Sequence, residues 1–393
     1  MISPYIDFIT DSLSNLTLCE DCVRFFNTTL NSIKDQRDTK DEASSHELPL
    51  PRDIRKALDR NIIKQDKAKD AVSIAIANHY RRMKNTLIKK SNILLIGPSG
   101  TGKTEIGRSV ATFLKVPFLC VDASNYTARG YQGLDIDAII HELYLVAGSD
   151  IHAAETGIVM IDEIDKIAKK DGLDGGVGTT SVQQQLLKVM EDHVVRLPLK
   201  DGEVIRIDTS NILFICAGAF VGLDKIIENN NRGVAKMGFN QDSEKKDKAT
   251  NKLTSEHLVK FGLIPEFLGR LPVVTQTEDL TEDDFLRILV EPEHSFIKQK
   301  IELFKMYNVT LSFSEEFLRE VVKEALLKKT GARGLGSVLE ERLSFFNSNI
   351  HEYQGKQIEI QAGSMIVEKT RPLAINEVIQ ISDYVKKEYA IAE

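Results

Sequence analysis

Disulfides cannot hold this chain together: its 393 residues include only four cysteines. That is too few for a cross-linked framework, and it predicts a reducing cytosol. No apolar run approaches the roughly 20 residues that a membrane-spanning helix needs, so no membrane partner is expected. Positive charge is also short. Lysine and arginine number 51 against 58 aspartate and glutamate, a net charge of −7. With no basic patch interleaved with aromatics, nucleic acid is not an expected partner either. The first sixteen residues carry Asp7 and Asp11 and neither lysine nor arginine, which argues against a secretory signal or a transit peptide. Tryptophan is absent, which excludes nothing. What is left, 42% hydrophobic and 28% charged residues, is an ordinary globular composition in a chain long enough for two or three domains.

The stretch around which the rest is arranged is Gly97-Pro98-Ser99-Gly100-Thr101-Gly102-Lys103-Thr104, followed by Glu105. It matches G-x-x-x-x-G-K-[ST], the phosphate-binding loop. An apolar run at 92–96 reads as a buried strand before it. A helix is expected after it over 105–114, with Ile106, Val110, Phe113 and Leu114 on one face. The glycines let backbone N–H groups turn toward an anion, and the helix N-terminus adds its dipole. Lys103 is placed to reach the β- and γ-phosphates of a nucleotide, and Thr104 to offer its hydroxyl to Mg²⁺. A second motif supports the first. Residues 157–163 are an apolar run ending in Asp162 and Glu163, the pattern of a parallel strand with a ligand site beyond its carboxyl end. Asp162 is expected to hold Mg²⁺ through water, and Glu163 to polarise the attacking water as general base.

The remaining elements follow in order. Cys19 and Cys22 form one C-x-x-C pair in an N-terminal element of residues 1–33. A structural zinc needs four ligands, so the pair is read either as metal-free or as half of a Zn²⁺ site shared between two chains. Cys120 and Cys216 fall in apolar runs and are expected in the core. Residues 34–51 are polar and read as a flexible linker. Two helices are expected over 54–84, broken near 61–65. There Ile62 and Ile63 either flank a base or join the core. Runs at 116–122, 211–217 and 271–274 complete five strands. A helix is expected over 134–147, a glycine-rich loop over 169–180, a helix over 181–192 and a hairpin over 196–208. Tyr131, between glycines, sits on an exposed loop or in an ordinary turn. A long polar loop is expected over 228–254, and Met237-Gly238-Phe239 within it is costly in water unless it docks into a partner's pocket. Beyond it, Thr281-x-x-Asp284 has the form of a capping box, an amphipathic helix spans 314–329, another opens at 331–334, and two short strands close at 358–360 and 365–367.

These residues together resemble the ClpX family of AAA+ unfoldases. The likeness covers about 47–367 and rests on His79-Tyr80, the 97–104 loop, Gly130–Gly133, residues 161–166, 261–272 and 330–335. It implies an α/β fold: a P-loop nucleotide-binding domain with a parallel five-stranded sheet over 52–278, and a smaller, mostly helical domain over 279–370. A C-terminal extension of 371–393 has no match. It implies ATP and Mg²⁺ as cofactors and ATP hydrolysis in a homo-hexameric ring. Ile63 would lie near the adenine. Arg270 would be an arginine finger reaching the neighbour's γ-phosphate, and Arg333 the second sensor of nucleotide state. Tyr131 would grip unfolded or tagged protein substrates in the central pore, and Met237-Gly238-Phe239 would dock on a ClpP-type peptidase.

The chain departs from the family pattern in several places. Only the second of two zinc-binding cysteine pairs is matched, by Cys19 and Cys22, so the N-terminal element reads as truncated. Lys64 stands where the family has glycine before Gln65. The hairpin at 200–204 lacks the family's Arg-Lys-His cluster. The related HslU unfoldases are the alternative, but they carry a large domain between pore loop and acid strand, and here Tyr131 and Asp162 are 31 positions apart. A stand-alone remodeller that feeds no peptidase is the reading from a neighbouring class.

Overall fold

The computed structural model describes residues 8–11, 16–19, 48–85, 87–127, 137–169, 176–198, 204–235, 253–328 and 331–368; of these, 8–11, 16–19, 126–127, 176–179, 230–235 and 368 are described through their backbone. The chain divides into two units, Met1–Leu48 and Pro49–Glu393. In the first, β1 (Phe8–Asp11) and β2 (Leu16–Cys19) pair antiparallel, with Phe8 opposite Cys19 and Asp11 opposite Leu16. Cys19 therefore ends a strand. Cys22 lies outside the described residues.

In the second unit the five apolar runs become one parallel sheet. β3 (Ile93–Ile96), β4 (Phe118–Asp122), β5 (Ile158–Asp162), β8 (Leu213–Gly218) and β9 (Val273–Gln276) lie in the order β4-β5-β8-β3-β9. Between β5 and β8 in the chain, β6 (Val194–Pro198) and β7 (Val204–Asp208) form the expected antiparallel hairpin. The central strands are buried on both faces, which is why they read as unbroken apolar runs rather than alternation. The two faces take alternate residues. Leu94, Ile96, Val159, Ile161 and Phe214 pack with Ile139, Leu143, Leu186 and Val189. Ile93, Leu95, Ile158, Met160 and Leu213 pack with Ile54, Leu58, Val72, Ile76, Ile106 and Val110. Helices Pro51–Asp59, Asp66–Lys84 and Lys103–Leu114 thus cover one face, and Asp137–Val146 and Gly176–Met190 the other.

A third core lies C-terminal to the sheet. Helices Glu282–Val290, Phe296–Met306, Glu315–Leu327 and Arg333–Ser348 bury Phe304, Phe317, Val321, Leu335 and Val338. They pack with a small sheet, in which β10 (Thr310–Phe313) runs parallel to β11 (Gln357–Gln361), and β12 (Met365–Glu368) antiparallel to β11. The capping box forms as read: Thr281 Oγ1 accepts from the Asp284 N–H at 3.3 Å, and an Asp284 carboxylate oxygen accepts the Thr281 N–H at 2.9 Å.

The structure corrects several local expectations. Phe113 is exposed rather than on the buried face of its helix. Cys120 is exposed too, because β4 is an edge strand; Cys216, on β8, is fully buried. The loop expected over 169–180 gives way to helix at Gly176, and the loop expected over 228–254 begins as the helix Leu223–Ala235. Strand β10 was not foreseen.

Candidate nucleotide site

The phosphate loop follows the last residue of β3 and opens the helix Lys103–Leu114, at the carboxyl edge of the sheet where ligands of parallel folds bind. Two neighbouring strands fix it. The Gly97 N–H donates to the Gly218 carbonyl, at the end of β8, at 3.1 Å. Thr277, just past β9, donates its N–H to Ile96 and lies with its hydroxyl 2.7 Å from that of Thr101. A Cβ on Gly97 would come 2.1 Å from Thr277 Oγ1, so the position takes glycine. Lys103 turns back across the loop, its ammonium donating to the Gly97 and Pro98 carbonyls at 2.6 and 2.8 Å. Burial lowers its pKa, and the Arg333 charge adds to that shift, while Asp162 and Asp165 oppose it.

Asp162, the last residue of β5, faces the loop. One carboxylate oxygen accepts the Thr104 hydroxyl at 3.0 Å, and the other accepts the Glu163 N–H at 2.9 Å. Glu163 is exposed, with φ of 55°. A left-handed conformation in a non-glycine residue costs about 1–3 kcal/mol and is typical of functional sites. Asp165 is buried behind this pair and accepts the Ala219 N–H at 3.2 Å.

The small C-terminal layer touches the loop directly. Gly331 approaches so closely that a Cβ on Gly100 would lie 2.7 Å from Gly331 Cα, and the Ala332 N–H meets the Gly100 carbonyl at 3.4 Å. Arg333 opens the next helix from this turn and is exposed. Ile63, expected near the base, is buried and lines a cavity of about 350 Å³ with Ile62, Lys64, Arg287 and Glu291.

Arg270 stands apart. Its carbonyl accepts from the side-chain amide of Asn92 at 3.0 Å, and Asn92 directly precedes β3. Five residue steps, about 16 Å at roughly 3.3 Å each, separate Asn92 from Gly97. The Arg270 guanidinium is ion-paired with Glu191 at 2.6 Å and half exposed. The segment leading to it is pinned by buried Gln183, which donates to the Ile167 carbonyl at 2.8 Å and accepts the Ile264 N–H at 2.8 Å.

The structure thus gathers Gly97, Pro98, Gly100, Thr101, Lys103, Thr104, Asp162, Glu163 and the turn bearing Arg333 at one place. Ser99 and Gly102 complete the loop, and Glu105 pairs with Arg108 at 3.5 Å. Tyr131 and Met237-Gly238-Phe239 lie outside the described residues. Sequence reading missed Thr277, Asp165 and Glu191. Thr277 carried no motif at all; Asp165 stood within the 161–166 stretch, without a role.

A strand–loop–helix that cradles anions, an acid pair on the neighbouring strand and a helical layer against the loop define an AAA+ P-loop ATPase. Comparison with known proteins agrees. The AAA domain (Cdc48 subfamily) matches residues 88–274, and the C-terminal, D2-small domain, of ClpB protein matches residues 280–345. Two curated relatives, each an "ATP-dependent Clp protease ATP-binding subunit ClpX", come from Borrelia duttonii (strain Ly) and Borrelia recurrentis (strain A1). Each is 39% identical over 386 residues, covering 93% of this chain and 89% of its own. The chain belongs to the ClpX family, which decides against HslU. It is an ATPase, and its class binds nucleotide with Mg²⁺. Among the described residues, no helix is long and apolar enough to cross a membrane.

Proposed function

We propose that this protein is an ATP-driven unfoldase that works as a homo-hexameric ring in the bacterial cytoplasm and passes protein chains to a ClpP-type peptidase. The observation that carries the ring is Arg270. Its backbone is fixed at the amino end of β3 while the phosphate loop lies at the carboxyl end, so this arginine serves another subunit's site rather than its own. A residue shared head to tail in that way makes a heterologous interface, which generates a ring where its rotation closes.

Within one site the roles follow from position. The 97–102 amides and Lys103 hold the phosphates. Thr104 and Asp162 are the residues that would hold Mg²⁺, and their 3.0 Å contact, hydroxyl to carboxylate, fits an oxygen-ligand cation. When bound, Mg²⁺ neutralises charge on the β- and γ-phosphates. Glu163, exposed just past the end of β5, takes the proton of the attacking water. The neighbour's Arg270 meets charge on the transferring phosphoryl group, and Arg333 does so from the small layer. Ile63 borders the base. The large domain runs over 52–278 and the small domain over 279–370, with the 34–51 linker and the Cys19–Cys22 element before them and 371–393 after. Tyr131 grips the substrate, and Met237-Gly238-Phe239 docks on the peptidase. Zn²⁺ at the cysteine pair requires a second chain.

Two substitutions test the reading. Glu163→Gln should bind ATP and lose at least about a hundredfold in turnover. Tyr131→Ala should keep ATP hydrolysis and lose the unfolding of a tagged fluorescent protein. Unfolding at the unaltered rate in Tyr131→Ala would contradict the pore assignment.

A further inference from the structure

The connector between the helices Pro51–Asp59 and Asp66–Lys84 is stitched to the start of the C-terminal layer. Lys64 Nζ donates to the Asp279 carbonyl at 2.7 Å and pairs with Asp284 Oδ2 at 3.0 Å. Gln65 donates its amide to the Glu278 carbonyl at 2.8 Å and accepts the Glu278 N–H at 2.6 Å. The Arg60 carbonyl accepts the Glu293 N–H at 3.1 Å. Residues 278–281 join β9, whose neighbour Thr277 touches Gly97 and Thr101, to the helix Glu282–Val290, and so are positioned to act as the hinge between the sheet and the helical layer. Ile62 and Ile63 lie on the same connector and line the cavity that Arg287 and Glu291 close from the helical layer.

Lys64 and Gln65 both hold left-handed backbone, with φ of 59° and 60°. Glycine, which the family resemblance places before the glutamine, makes that turn without steric cost but supplies no ammonium. A lysine kept there against its backbone preference is compensated by what its side chain does. That side chain is mostly shielded from solvent, as is Asp284, so salt screens the pair weakly.

We propose that Lys64 is a positioning residue for nucleotide binding, clamping the Ile62–Ile63 connector to the hinge through Asp284 and Asp279. The clamp holds the helical layer against the sheet domain in the arrangement that seats Gly331 on the phosphate loop. Without it the hinge samples wider angles, and the binding-competent arrangement is a smaller fraction of the population, which weakens apparent affinity. This rests on the ATPase assignment and adds to it a residue that departs from the family pattern.

The test uses the full chain, with mant-ADP titration and steady-state ATP hydrolysis. Lys64→Met, Lys64→Gly and Asp284→Asn should each weaken mant-ADP binding and raise the KM for ATP by about five- to tenfold, the lower range of ordinary coupling. The kcat should move less than the KM. Lys64→Arg keeps the charge and should bind as the unaltered chain does. Ser314→Ala is the structural control: it removes the cap of the helix Glu315–Leu327, where the Ser314 hydroxyl accepts the Phe317 N–H at 3.3 Å, and touches neither Lys64 nor Asp284, so it should lower the melting temperature and leave affinity alone. Wild-type affinity in both Lys64→Met and Lys64→Gly overturns the clamp. So does an equal loss in Lys64→Arg, which would assign the effect to packing. Failure of the unaltered chain to bind mant-ADP would overturn the ATPase assignment itself, and the clamp with it.

Discussion

Gly100 shows how little room the site leaves a single residue. Its φ is 79°, and the nearest atoms to any added Cβ are backbone atoms of Gly331 and Ala332. Neither side yields by rotating a side chain. Gly100→Ala should therefore lower the melting temperature by a few degrees, since left-handed backbone costs an L-residue roughly 1–2 kcal/mol, and should also weaken nucleotide binding by separating loop from turn. Calorimetry with and without ADP measures both, and equal ADP stabilisation in the two proteins would contradict the contact's role. His79 makes a second residue-scale prediction. It is almost fully buried, and its Nε2 lies 2.9 Å from the Asn211 carbonyl. Burial pushes its pKa down to about 4, helped by the nearby charges of Lys90 and Arg82 and opposed by the Asn211 bond. The unfolded chain takes up a proton near pH 6.5 and the folded chain does not until about pH 4. Stability is thus lost as pH falls across that window. His79→Gln, which keeps a donor for Asn211 and does not titrate there, should flatten the decline in melting temperature between those values. An unchanged slope would remove His79 from the acid response.

At the scale of elements, helix ends and strand runs were the legible parts. The capping box was read from Thr281 and Asp284 alone, because side chains three apart satisfy helix-end donors wherever they occur. Asp284 now does more than cap. Burial raises its pKa, but the Thr281 N–H, the Lys64 ammonium and the Thr281 hydroxyl outweigh that and hold the carboxyl below its ordinary value. Its stabilising contribution is present above the unfolded carboxylate pKa and is lost as pH falls through the lower folded one. Thr281→Ala should cost about 1 kcal/mol by denaturant titration, the usual worth of an N-cap; no measurable cost would mean the helix start is held by packing alone. The phosphate loop, the acid strand and all five strands of the main sheet were readable because buried parallel strands have a simple composition. The helix Leu223–Ala235 was not. Its second half, with three consecutive asparagines and Gly233, has poor helix propensity. Leu223 and Ile227, four apart and both buried in the main core, hold it instead, and tertiary packing of that kind leaves little local signal. Cys120 failed for a related reason: an apolar run does not reveal that its strand lies at a sheet edge. The Lys64–Asp284 pair joins residues more than two hundred positions apart, and no local pattern encodes it.

At the scale of the whole molecule, the separation of Arg270 from its own phosphate loop is what supports the proposal that hydrolysis belongs to neighbouring subunits. Glu163→Gln and Arg270→Ala proteins should each be inactive alone. Mixed in equal amounts, they should recover activity, because about a quarter of the interfaces in a randomly assembled ring then pair an intact Glu163 with an intact neighbouring Arg270. The Arg270–Glu191 pair is half exposed and worth little to stability, which leaves the guanidinium free to exchange partners at an interface.

The most direct measurement is ATP-dependent loss of native fluorescence from a folded fluorescent protein bearing an unstructured tag, with a ClpP-type peptidase added or omitted. A companion protein carries serine in place of Met237, Gly238 and Phe239. Degradation should require ATP, the peptidase and the intact tripeptide together. Unfolding that proceeds equally without the peptidase and with the tripeptide replaced would contradict the delivery of substrates to a protease and leave a stand-alone remodeller.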